Sequence, residues 1–275
     1  TRVSARVRVG ITLPSFVRDP ETALAVARMA ETTGVDGVFV YDHLFRLTLD
    51  GTRRPALEAA ALLGAVATAT STITIGTLVL RSSLRPSASS AALVATTARL
   101  APGRVAIGIG AGDSESKEEN ESFGLGFSSI DARVNALADT TRAVRDLGAS
   151  IWVGGIAEAV LDVAAQEADG WNAWGLSPER FATRAAQVSA NAVRTPFECS
   201  WSGLVVLDET DEAANERARA QGAGPGTLVG GPQTIAAAFG ALGVAGAAWV
   251  IVGAVDAADP RTARLLGDAV VPALA

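Results

Sequence analysis

The sequence predicts a (β/α)8 barrel, an α/β fold, formed by one domain over residues 1–275. Three observations carry that prediction. Apolar, β-rich runs alternate with longer Ala-rich helical stretches from end to end. The alternation completes eight units of roughly 34 residues, the size of a barrel of about 250 residues. A doubly wound open sheet shares the alternation, but no GxGxxG follows the first strand. No linker, low-complexity tract or charge block divides the chain.

Strand one is VRVGITL, residues 7–13, and its helix is DPETALAVARMAETTG, where Asp19 can cap, Pro20 suits the first turn and Gly34 closes the end. Strand two is GVFVY (37–41), followed by RPALEAAALLGAVATATS as helix. ITIGTLVL (73–80) and RVAIGIGAG (104–112) are strands three and four, each followed by its helix, PSASSAALVATTARLA and SIDARVNALADTTRAVRDLG. IWVGG (151–155) and GWNAWG (170–175) are five and six, with helices AEAVLDVAAQEA and 177 to about 192. CSWSGLVVL (199–207) is seven, with a helix near 211–220. An additional helix, GPQTIAAAFGALG (231–243), leads into strand eight, AAWVIVGAV (247–255), and a last helix lies near 260–273.

Composition narrows the function. With 49% apolar and 19% charged residues the chain can bury a large core. A net charge of −6 argues against a nucleic-acid partner. No apolar run approaches the ~20 residues of a membrane span. The start TRVSARVRVG lacks the apolar middle of a signal peptide, so a soluble, cytoplasmic protein is expected. Cys199 is the sole cysteine, a small filler within a strand, and rules out internal disulfides and cysteine metal clusters. There is no HExxH and no metal triad, so no metal is expected. Lys117 is the only lysine among 23 basic residues, a bias typical of GC-rich genomes.

In a barrel the active site lies at the C-terminal ends of the strands. VYDHLF (40–45) holds the only histidine of the chain there. His43 can act as general acid or base, since imidazole titrates near about 6.5. Asp42 can accept from a ligand N–H or cap the loop. In AIGIGAGDSES (106–116) alternating glycines leave room for a flat ligand, and the loop from Ala111 to Glu115 faces the mouth. Asp113 is a candidate proton donor or acceptor facing His43; alternatively it caps a short helix through SESKEENES. In WVGGIAEAV (152–160) two glycines before a helix N-terminus offer free N–H groups to a phosphate, or simply make a tight turn. Arg81 and Arg85 can assist an anionic tail or an acidic substrate. Phe16, Phe45 and Trp174 are candidate pocket walls, and the other tryptophans read as core. Glu118, Glu119 and Asn120, with Glu121, read as a solvated face.

Several of these segments together resemble the bacterial luciferase-like family of flavin and deazaflavin oxidoreductases. They are GVDGVFVYDHLF, TSTITIGTLVL, RPSASSAALVATTARLAPGRVAIGIGAG, SFG at 122–124, IWVGGIAEAVLDVAAQEADGWNAWGLSPERF and GGPQTIAAAFGALGVAGAAWVIV. The resemblance implies a barrel, commonly a homodimer, that binds FMN or coenzyme F420 at the strand C-termini. It places Asp42 and His43 near the ring, with His43 catalytic. Gly76, Thr77 and Leu78 would form a strand-three bulge behind the ring, where such proteins often carry a non-prolyl cis peptide. Gly110, Ala111 and Gly112 would run beside the ring, and Gly154, Gly155 and Ile156 would contact the phosphate end. Asp113 stands where some deazaflavin enzymes use glutamate. The connection DLGASIW is short where many relatives carry an insertion, and lysines used for a phosphorylated substrate have no equivalent. The compact architecture, the Asp-His pair, the Asp113 position and the actinobacteria-like GC bias favour F420 over FMN. The expected activity is hydride transfer between the deazaflavin and a small organic substrate, with His43 or Asp113 moving the proton. The alternatives are an FMN-dependent monooxygenase and a non-catalytic, cofactor-binding barrel.

Overall fold

The computed structural model describes residues 6–47, 51–114 and 116–274. Its strands are β1 (Arg8–Thr12), β2 (Gly37–Val40), β3 (Phe45–Leu47), β4 (Arg53–Pro55), β5 (Thr74–Arg81), β6 (Val105–Gly110), β7 (Ser150–Gly154), β8 (Gly170–Trp174), β9 (Glu198–Leu207), β10 (Leu228–Gly230) and β11 (Trp249–Ala254). The helices are α1 (Pro20–Thr33), α2 (Ala59–Ala69), α3 (Ser87–Leu100), α4 (Ser116–Ser122), α5 (Ile130–Val144), α6 (Glu158–Glu167), α7 (Pro178–Ala190), α8 (Asp211–Ala220), α9 (Pro232–Val244), α10 (Arg261–Leu265) and α11 (Val271–Ala273). A π-helical turn, Leu266–Val270, joins the last two.

Eight parallel strands close a barrel in the order β1-β2-β5-β6-β7-β8-β9-β11, and β11 pairs back with β1. These are the eight apolar runs of the sequence. Parallel strands are covered on both faces, so they read as continuous Val/Ile/Leu stretches, as all six buried residues of β11 illustrate. On the outside, helices press one apolar stripe against the strands; in α1 it is Ala23, Val26, Ala27 and Ala30. Asp19 caps that helix, accepting from the Glu21 N–H at 2.9 Å, and Gly34 ends it at φ 89°. The ten-residue β9 outlasts its neighbour: Glu198–Ser202 pair with β8, while β10 pairs along Val205–Leu207.

Inside, the lower barrel is filled by Phe39, Leu78, Ala106, Trp152, Trp249 and Ile251. The Phe39 ring lies 5.8 Å from Trp152 and 5.9 Å from Trp249, centroid to centroid. Trp152, Trp171, Trp201 and Trp249 are all buried, as the sequence suggested.

Two elements depart from the sequence expectation. The helix expected from Arg54 begins only at Ala59, because Arg53–Pro55 pairs antiparallel with β3 as a short exposed hairpin. Proline forces Arg54 into extended backbone and so delays the helix. Glu118 to Glu121, read as a solvated face, lie on α4, where Glu119 and Asn120 are buried together with Ser116.

Tight interstrand packing is sharpest at Gly76. A Cβ there would lie 1.8 Å from the Ala106 carbonyl oxygen, a backbone atom that cannot yield. Gly76→Ala is therefore expected to destabilise the fold by about 3 kcal/mol or more. Gly64→Ala, inside α2 with open space around it, should stabilise by roughly 0.5–1 kcal/mol. Urea denaturation of the two variants checks the pair.

Candidate active site

At the C-terminal rim β2 runs out into Asp42 and His43. Asp42 is 3% exposed, and its carboxylate faces arginines rather than an open mouth. Oδ2 accepts from the Arg81 backbone N–H at 2.8 Å, and the Arg85 guanidinium forks onto both oxygens at 2.6 and 3.0 Å. The Asp42 carbonyl accepts from Arg81 Nε at 2.7 Å. The expected cofactor contact is thus a clamp joining the loops after β2 and β5. Burial works against the Arg85 charge, but the hydrogen bonds to Asp42 and the charges of Asp42 and Glu58 hold its pKa above the ordinary value.

His43 stays half-exposed at the rim, its ring 5.8 Å from Phe16 and 6.3 Å from Tyr41. Its Nδ1 lies 3.1 Å from Oε2 of Glu119. Glu119, read from the sequence as solvated, is 4% exposed. Its Oε1 accepts from the N–H groups of Leu44 and Phe45, and its Oε2 also pairs with Arg81 Nη1 at 3.0 Å. Burial pushes the Glu119 carboxyl up, but the His43 and Leu44 hydrogen bonds and the charges of His43 and Arg81 outweigh it and hold its pKa below the ordinary carboxylate value. Arg81, expected to assist an anionic tail or an acidic substrate, is buried beneath the rim, where Nη1 also donates to Asn120 Oδ1 at 3.2 Å.

Asp113 does not supply the carboxylate on His43. It is exposed, and its Oδ1 accepts from both the N–H and the Oγ of Ser116 at 3.0 Å. Gly112, at φ 75°, turns the chain so that Asp113 meets the start of α4. The helix-cap alternative is the one realised. Glu115 lies outside the described residues.

The glycines of β6 and β7 pack closely against Val79. A Cβ on Gly110 would fall 2.5 Å from Val79 Cγ2, and one on Gly154 2.6 Å from Val79 Cγ1. They make room for Val79, which turns inward where the β5–β6 register shifts between Thr77 and Leu80. The bond between Leu78 and Val79 is cis, the non-prolyl peptide expected in this bulge. Gly76, Thr77 and Leu78 are buried, and Val79 is half-buried against Gly108, Gly110 and Gly154. Thr77 donates to the Gly108 carbonyl at 2.9 Å. Ala111 is also buried.

Gly155 takes φ 139°, donates to the Asn172 carbonyl at 3.1 Å and accepts from Trp171 Nε1 at 2.7 Å. Ile156 is exposed beside the start of α6, which has no side-chain cap. Across the barrel Thr12 and Tyr41 share a 2.9 Å hydrogen bond, and burial pushes the Tyr41 phenol up to about 12. Trp174 is exposed, its ring 6.5 Å from Tyr41. Phe45 is buried, stacked on Phe123 and under the Arg53 guanidinium, so it supports the hairpin rather than walling the mouth.

Sequence reasoning missed Arg133. It is 9% exposed and lines a cavity of about 380 Å³ with Ser82, Ser83, Arg85 and Ser128. Its Nη1 donates to the Ser128 carbonyl at 2.6 Å, and its guanidinium lies 4.2 Å from the Phe127 ring centroid. Among the described residues no carboxylate pairs with it, and neither its Nε nor Ser83 Oγ has a hydrogen-bond partner. A buried cation with idle donors beside a cavity fits an anionic group. A larger cavity, about 500 Å³, opens at the opposite end of the barrel. Its charges are matched, Arg8 with Glu198 and Arg194 with Asp169, and that end of a barrel serves stability. Among the described residues no helix is long and apolar enough to cross a membrane, and no three His, Cys, Asp or Glu side chains are grouped to hold a metal.

The profile of the luciferase-like monooxygenase family matches residues 3–150 and 148–239. The chain belongs to that family. Within reach of its sequence lie F420-dependent glucose-6-phosphate dehydrogenases. The protein of Beutenbergia cavernae is 43% identical over 97 residues, 34% of this chain and 28% of that protein. The one of Nakamurella multipartita is 30% identical over 150 residues, 54% and 41% of the respective lengths. The chain thus spans less than half of these relatives. Solved luciferase-like structures share the fold over its whole length. An F420-dependent secondary alcohol dehydrogenase in complex with an F420–acetone adduct superposes with a TM-score of 0.81 at 18% identity, covering 98% of this chain and 100% of its own. An EDTA monooxygenase from Chelativorans sp. BNC1 does so with a TM-score of 0.82 at 12% identity, covering 98% and 94%.

Proposed function

We propose that this barrel is a coenzyme F420-dependent oxidoreductase acting on a small organic substrate. The observation that carries the reading is His43, the only histidine, half-exposed at the rim with Nδ1 on the buried Glu119 carboxylate. The sequence relatives that use F420 support the choice of cofactor. The residues present fit such a group. Val79 offers an apolar floor for a flat ring, and Arg133 and Ser83 offer unpaired buried donors for its phosphate. When bound, a deazaflavin supplies a carbon that accepts or donates a hydride. His43 takes up or returns the substrate proton that balances this two-electron change. Asp113 lies exposed with its Oδ1 bonded to Ser116, so the reading rests on His43.

Fluorescence titration of the protein with F420, and in parallel with FMN, tests the reading. Micromolar or tighter binding of the deazaflavin alone supports it. Binding of FMN alone turns the assignment to a flavin monooxygenase, a reading kept by the equal likeness to the EDTA enzyme's fold. Failure to bind either overturns both. Arg133→Met should weaken binding of the phosphorylated cofactor by about 10- to 100-fold, the worth of one or two charge-assisted hydrogen bonds. A dephosphorylated analogue should not discriminate between the two proteins.

A further inference from the structure

Glu119 sits where it can decide which nitrogen of His43 does the work. A carboxylate without a proton only accepts, so the ring nitrogen that faces it must carry the hydrogen. The carboxylate cannot turn aside. Leu44 and Phe45 hold Oε1, and Arg81 holds Oε2 alongside the histidine. Arg81 is itself fixed by the Asp42 carbonyl and by Asn120. Among the described residues no other polar group is recorded on the ring. Phe16 is apolar, the Tyr41 hydroxyl is bound to Thr12, Asp42 is taken by Arg81 and Arg85, and the Arg46 guanidinium lies 6.0 Å over the Phe16 ring.

We propose that Glu119 is a positioning residue that locks neutral His43 as its Nδ1–H tautomer, leaving Nε2 as the one basic nitrogen at the mouth. The inference rests on the reading of this rim as the active site, and it specifies the atom that exchanges the proton. It also explains a buried acid on a helix of otherwise polar sequence. The link from Asp42 through Arg81 to Glu119 and His43 then works as a single support, each group fixing the next.

The single histidine makes the test direct. With ¹⁵N-histidine the protein gives one pair of ring nitrogen signals, and two-bond ¹H–¹⁵N correlation of the cofactor-free protein reads the tautomer without assignment. In wild type at alkaline pH, Nδ1 is expected to show the protonated shift and Nε2 the bare one. The reverse pattern overturns the proposal, whatever any variant does. In Glu119→Gln the population should move toward the Nε2–H form, and an unchanged spectrum of the folded variant would also refute the role. In turnover, Glu119→Gln should lower kcat at least about tenfold with KM nearly unchanged, and Glu119→Asp should restore part of it. The spectrum needs no cofactor, so a failed F420 titration leaves the tautomer result standing, and a wrong tautomer leaves the titration standing.

Discussion

Asp42→Ala is expected to cost about 3–5 kcal/mol of stability, because it strands buried arginine without its counter-charge. Asp42 is 3% exposed and accepts two bonds from Arg85 and one from the Arg81 backbone. Removing it leaves the half-buried Arg85 with only a 3.4 Å contact to Glu58. For a chain of this size the loss corresponds to a fall in Tm of roughly 10 °C. The double variant with Arg85→Met should recover part of that loss, since it removes the stranded charge along with its partner. Thermal melts of both single variants and the pair measure the coupling. Additive losses would show that Asp42 acts through something other than the arginine.

His43→Ala should reduce turnover by about 10²- to 10⁴-fold, the usual worth of a positioned acid–base group, with cofactor affinity little changed. The side chain reaches the rim with its ring against Phe16 and Tyr41, and neither neighbour can replace it. The Tyr41 phenol, pushed up to about 12, keeps its proton through the working range and is already bound to Thr12. Steady-state kinetics beside a cofactor titration separate the two effects. A drop in affinity that accounts for the whole loss of rate would demote His43 to a wall of the site.

The barrel was legible because parallel strands buried on both faces leave Val- and Ile-rich runs that no loop imitates. The caps of α1 were legible for the same local reason: Asp19, Pro20 and Gly34 act within a few residues of where they stand. The site was legible at its strand ends and obscure wherever a partner was remote. Asp42 meets Arg81 and Arg85 across 39 and 43 residues, and His43 meets Glu119 across 76, so a carboxylate beside a histidine in sequence passed for the functional one. Glu119 hid because α4 buries Ser116, Glu119 and Asn120, polar residues that leave no hydrophobic periodicity. The spacing of three and four was the only signal. Val79 hid because a register shift, not the alternation of a regular strand, turns it inward. Asp113 shows the converse, since its capping contact with Ser116 acts within three residues and was readable locally.

The aromatic fill of the lower barrel has one more consequence. Phe39, Trp152 and Trp249 stop the bore like a cork, so nothing passes from one end to the other. Whatever enters to react must leave by the doorway it came in through. On the proposed function, cofactor and substrate would share that single threshold.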